Sequence, residues 1–93
     1  MNMSERITEK EKEALELETA KAHDRFKEAW NQAPKMVRSI FYKNEGMSRQ
    51  NMTSILRDGR SLETLEELLS ALKDASDEHL REIDTINKKI QSV

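Results

Sequence analysis

Cysteine is absent from the 93 residues, so no disulfide and no thiolate metal site is available. That fits a reducing cytoplasm, the expected location of the chain. One proline and two glycines leave little room for strands, tight hairpins or long loops, and an all-α fold is expected. Aromatic residues are scarce at 4% and hydrophobic residues modest at 35%, so the core must be thin. No window approaches the ~20 apolar residues of a membrane span, and nothing near Met1 reads as an apolar leader. Glycine-rich phosphate loops, nucleophile elbows and Cys-His pairs are missing. His23 and His79 each lack a second ligand at metal-binding spacing, so both read as solvated side chains and no metal or cofactor is expected. Acidic neighbours such as Glu66 and Glu67 point in different directions on a helix and cannot readily share a substrate. An enzyme is not expected.

Charge is plentiful, at 37% of residues, and unevenly placed. Residues 1–34 carry a net −2 and residues 61–93 a net −4, whereas residues 35–60 carry +4. The basic stretch comprises Lys35, Arg38, Lys43, Arg49, Arg57 and Arg60 against Glu45 and Asp58. A local basic patch in an acidic chain steers a polyanion while the flanks limit indiscriminate binding.

Residues 46–58 carry the densest local signals. Gly46 suits a left-handed helix exit. Ser48 stands where an N-cap belongs, and Met47 with Met52 has the spacing of a hydrophobic staple. In the helix that follows, Met52, Ile55 and Leu56 point inward. Arg49, Gln50, Thr53, Ser54 and Arg57 occupy the other face, all able to hydrogen-bond and none acidic. Polar residues on a helix ordinarily mean a solvated face. An acid-free set inside a basic patch favours contact with duplex DNA, since Arg to guanine and Gln to adenine are the usual major-groove pairings.

From about Arg38 to Leu72 the chain resembles the Cro/lambda-repressor-like class of helix-turn-helix domains. The matching positions are Phe41, Gly46, Met47, Ser48, Met52, Ile55, Gly59 and Ser61-Leu62-Glu63-Thr64-Leu65. The resemblance implies a DNA-reading fold in which Ser48, Arg49, Gln50, Thr53, Ser54 and Arg57 face bases or nearby phosphates and Arg38 meets the backbone. The chain departs from the pattern at Tyr42, where the class prefers a small residue because the two helices nearly touch. A splayed helix pair, a frame slipped by one residue and a looser variant of the fold would each accommodate it.

About five helices are expected: an acidic helical extension over 1–33, a helix-turn-helix core over 34–75 and a C-terminal helix over 76–93. Ser4 or Thr8 starts the first helix, with Thr8 and Glu11 as a capping box. Its apolar stripe is Ala22, Phe26, Ala29, Trp30 and Ala33, while its first half has too little apolar surface to pack. Pro34 reads as the first turn of a second helix carrying Met36, Val37, Ile40 and Phe41 inward. Trp30 and Phe41 read as core aromatics rather than a stacking pair for a base or cofactor. Ser61 caps a further helix with a seven-residue repeat, Leu62, Leu65, Leu69, Leu72, Ser76, His79, Ile83, Ile86, Ile90 and Val93, whose apolar character Ser76 and His79 break midway. Asp74, Ser76 and Asp77 offer competing caps midway, so two helices are preferred over one long one.

The function expected from these readings is sequence-specific transcriptional control, with repression by a homodimer on a palindromic operator. Lys35, Arg38, Lys43 and Arg60 would hold phosphates. Leu80, Ile83, Ile86, Ile90 and Val93 would form the dimer interface. The alternative is a helical interaction module, antitoxin-like or phage-encoded, that grips a protein partner through the acidic first helix or the C-terminal stripe.

Overall fold

A computed structural model describes residues 3–92, with side chains from Glu9 onward; Val93 and the side chains of Ser4, Ile7 and Thr8 lie outside the described residues. Four helices account for nearly all of it: α1 (Met3–Gln32), α2 (Lys35–Glu45), α3 (Arg49–Asp58) and α4 (Leu62–Gln91). The all-α class stands. The expected count of about five helices is corrected to four among the described residues. α1 runs through Thr8 rather than starting there.

The difference in count lies in α4, which is continuous where a break near Asp74 was expected. Asp74 and Asp77 are exposed on its outer side, while Leu68, Leu72 and Ala75 are buried on its inner side. Burial of that apolar line outweighs the few tenths of a kcal/mol by which Asp and Ser disfavour a helix interior. Ser61 does cap the helix, accepting from the Thr64 amide at 3.3 Å.

α1 and α4 run in the same direction, staggered by about half their length. Ala22 and Arg25 face Leu62 and Glu66 across one shallow cleft. Ala29 and Ala33 face Leu69, Leu72 and Ser76 across another. Both numberings rise together, so the first half of α1 and the part of α4 from Leu80 onward extend past the packed region at opposite ends. The molecule measures 75 × 26 × 19 Å. Its radius of gyration is 18.5 Å, against roughly 12 Å for a compact chain of this length.

Between the two arms the core is a single cluster. It takes Ala22, Phe26 and Trp30 from α1, Val37 and Phe41 from α2, Met52 and Ile55 from α3, and Leu65, Leu68, Leu72 and Ala75 from α4. The rings of Trp30 and Phe41 meet edge to face at 5.2 Å, the arrangement that ring quadrupoles favour. Met36, expected to point inward, is 56% exposed. Val37 and Phe41 set the core line of α2 one turn apart, and Met36 falls a quarter turn outside it. Pro34 is the N-cap of α2, with extended backbone, so the helix begins at Lys35 rather than with Pro34 in its first turn.

Two residues read as solvated are not. His23 is half-buried, and its Nε2 lies 2.9 Å from the Ile55 carbonyl, tying α1 to the last turn of α3. Gly59 passes directly over that imidazole at φ 79°, ψ −174°, a conformation essentially confined to glycine. His79 is half-buried on α4, with a buried Nδ1 that has no hydrogen-bond partner among the described residues. No helix among the described residues is long and apolar enough to cross a membrane.

Candidate nucleic-acid interface

The α2–α3 junction is built from local chemistry. Gly46 ends α2 in the left-handed region at φ 59°. The Tyr42 carbonyl accepts from the amides of Gly46 and Met47. Ser48 follows in extended backbone, and its hydroxyl accepts from the Asn51 amide at 3.1 Å. Met47 packs against the core cluster and Met52 lies within it. One left-handed residue and one side-chain cap therefore define a helix, a tight turn and a second helix.

Burial of Met52 and Ile55 fixes the roll of α3. Gln50, Thr53 and Arg57 then fall on the opposite side, three or four residues apart, and all three are exposed. Arg49 is exposed at the first position of the helix. Thr53 donates to the Arg49 carbonyl at 3.0 Å, a bond within the helix that leaves its hydroxyl facing solvent. Arg49, Gln50 and Thr53 are neither covered by neighbouring segments nor engaged by the acidic residues of α1 or α4 among the described contacts.

Tyr42 adds a feature of its own. Its ring stands against Trp30 at 5.4 Å, nearly perpendicular, and lines the gap between α2 and α3. Trp30, Tyr42, Met52 and Leu56 form the apolar part of an open cleft of about 500 Å³ between the two helices, and Lys35, Arg38, Ser39, Arg49 and Thr53 form the polar part. Three cations and the hydroxyl-bearing Ser39, Tyr42 and Thr53 line it, with no carboxylate among the lining residues. The arrangement suits a phosphate-bearing strand laid across α2 beside the outward face of α3.

The remaining basic residues divide by their engagements. Lys35 lines the cleft and Lys43 is exposed on α2 outside it. Arg38, expected to meet the DNA backbone, is committed to α1. Its guanidinium donates to the Trp30 carbonyl at 3.0 and 2.7 Å and to the Asn31 carbonyl at 3.2 Å. It also lies 5.3 Å from the centroid of the Trp30 ring. α1 has no basic residue in its last turn, so Arg38 supplies the positive charge that its open carbonyls attract.

Arg60 is held likewise. It donates to the Gly59 carbonyl at 2.6 Å and to the Ser54 hydroxyl at 3.2 Å, leaving Ser54 half-buried. Ser54 and Arg60 thus form a bracket at the end of α3 rather than two independent contacts.

Arg57 meets Asp58, one of the two acids of the basic stretch. Its Nε and Nη2 donate to the two carboxylate oxygens of Asp58, both at 3.0 Å. The pairing raises the Arg57 pKa, first through the hydrogen bond and then through the charge of Asp58. The hydrogen bond from Arg57 lowers the Asp58 carboxyl below its ordinary value; desolvation opposes it, and the charges of Arg57 and Arg60 and a Ser54 hydrogen bond add to the lowering. Both side chains are largely exposed, so the pair contributes little to stability. Its consequence is that the Arg57 charge is offset on the outward face of α3.

Among the described residues no group of three or more His, Cys, Asp or Glu is placed to hold a metal ion. Comparison with protein-family models, with curated proteins and with solved structures finds no match.

Proposed function

We propose that this chain is a double-stranded DNA reader acting as a transcriptional repressor, with α3 as the recognition helix and a homodimer as the binding unit. The observation that carries the reading is the exposed, acid-free row of Arg49, Gln50 and Thr53 beside the cationic cleft of Lys35 and Arg38. Arg49 and Gln50 stand at the N-terminal end of α3, the end that approaches base edges in helix-turn-helix docking. They supply most of the sequence choice, and Lys35, Lys43 and the free edges of Arg38 and Arg60 position the backbone. A dimer occupying two half-sites excludes other proteins from that stretch of duplex, which is repression by occupancy. The cytoplasm is the proposed location.

Removing Asp58 tests the electrostatic part of the reading. Near neutral pH the lowered carboxyl keeps the Arg57–Asp58 pair intact, so only a substitution separates the two. In Asp58→Asn, Arg57 becomes free to meet a phosphate. Affinity for a random duplex is expected to rise several-fold, and the slope of log affinity against log salt to steepen by about one. A mobility-shift titration at several salt concentrations reads both quantities. An unchanged slope removes Arg57 from the interface; no binding by either protein at low salt removes the DNA reading itself.

A second reading has one observation in its favour. The first half of α1 extends beyond the packed body, with Leu15 and Leu17 more than half exposed. As a protein-binding arm, the acidic N-terminal helix would hold a partner while α3 held DNA. Deleting residues 4–20 then abolishes capture of that partner and spares duplex binding.

A further inference from the structure

The last part of α4 presents Leu80, Ile83, Ile86 and Ile90 to solvent at 61, 41, 56 and 67% exposure. Ile83, Ile86 and Ile90 fall on the same helix face that Leu65, Leu68 and Leu72 bury upstream, with the half-buried His79 between the two apolar stretches. One face therefore serves two purposes: up to His79 it packs within the body, and from Leu80 onward it is bare. We infer that this bare half pairs with the same segment of a second copy, antiparallel, about a two-fold axis near Asp84 and Thr85. The inference rests on the homodimer of the proposed function and adds its direction and register.

The occupant is a second α4 because the other free arm is chemically unsuited. Extending the buried stripe of α1 backward from Ala22 meets Thr19, Glu18, Leu15, Lys12 and Glu11, a mostly polar face. The direction follows from space. Packed helices lie 8–10 Å apart. In a parallel pair the two bodies would sit at the same height on the seam side, and each is about 20 Å thick in its smallest dimension. In the antiparallel pair His79 lies level with the partner's Ile90, so the partner's body begins where α4 ends at Gln91.

Charge agrees with that register. Ile83 meets the partner's Ile86, and Glu82, flanking the seam, comes opposite the partner's Lys89, twice by symmetry. Neither Glu82 nor Lys89 is engaged in an ion pair among the described residues. A parallel pair instead sets Glu82 beside the partner's Asn87 and stacks the two His79 rings.

The bare aliphatic surface is on the order of 400 Å² per protomer, within the range of the largest apolar patch on a typical monomer, which is often functional. The interface falls in the small, weak class below about 1,200 Å² in total, so self-association is expected at micromolar or higher concentrations. Duplex carrying two half-sites would reinforce it by holding both copies together.

Because the chain has no cysteine, introduced thiols report the register directly. His79→Cys and Ile90→Cys are mixed without DNA at about 100 μM under mild oxidation. The antiparallel pair predicts a disulfide-linked heterodimer between the two variants. It predicts little from either alone, because like positions are then roughly 16 Å apart, beyond the ~7 Å limit for a disulfide. A rapid homodimer of Ile90→Cys overturns the direction. No crosslink, together with a monomer in sedimentation at the same concentration, overturns the pairing, whatever the duplex assays show.

If either thiol variant loses helicity, two surface changes decide the matter. Glu82→Lys and Lys89→Glu should each weaken self-association several-fold, and their equimolar mixture should recover it. Insensitivity to both contradicts the register.

Discussion

Phe41→Ala is expected to destabilise the chain by about 3–5 kcal/mol, enough to leave a substantial unfolded population in a domain of this size. Phe41 is fully buried at the meeting point of α2 with the rest of the core. Its ring lies edge to face on Trp30 and adds a directional contact to the area it buries. The thin core makes the loss severe, because few other large side chains hold α2 against α4 and so position the turn that leads into α3. Urea unfolding followed by circular dichroism checks it: the midpoint should fall sharply, and duplex binding should fall with it. Leu15→Ala on the free arm of α1 provides the contrast, with a midpoint nearly unmoved. An unchanged midpoint for Phe41→Ala would mean that the α2 packing described here is wrong.

Arg49→Glu should separate binding from stability. The exposed Arg49 side chain has no described intramolecular partner, so its loss costs the fold little. A carboxylate in the first turn of α3 interacts favourably with the helix N-terminus, by about 0.3–1 kcal/mol. Thermal stability is therefore expected to hold or rise slightly. Affinity for the preferred duplex should fall by at least the roughly 1–3 kcal/mol of a lost bidentate base contact, with added repulsion from phosphates. Titration of the selected duplex, with a melting curve on the same sample, reads both effects. A variant that melts like the parent and binds like it removes Arg49 from the interface. One that loses binding only because it unfolds leaves the recognition face without support.

The parts of this structure that could be read from the chain are those decided within a few residues. Gly46, Ser48 and Ser61 act on amides or carbonyls no more than a turn away, and each stands where its local chemistry places it. The inward set of α3 follows from spacing alone, because one helix face must be buried. Where distant residues meet, the sequence is silent. Arg38 looks like any exposed arginine until the end of α1 is brought beneath it. His23 carries no signal that Ile55, 32 residues later, will lie within hydrogen-bond reach.

The same limit explains α4. Asp74, Ser76 and Asp77 favour a break locally, but Leu72 and Ala75 hold the helix through it by packing on other elements. Asp58 is legible in the sequence as an acid within the basic stretch, but its pairing is not. Adjacent residues point about 100° apart on a helix, and only the bend of the long arginine side chain brings the Arg57 guanidinium onto the neighbouring carboxylate.

Selection of bound oligonucleotides from a random duplex pool tests the central claim most directly, since it asks whether this surface reads sequence at all. The account predicts enrichment of a short motif in inverted repeat, with Arg49→Glu abolishing the enrichment. Recovery of a pool no different from the input, at a salt concentration where the protein stays folded, would contradict it.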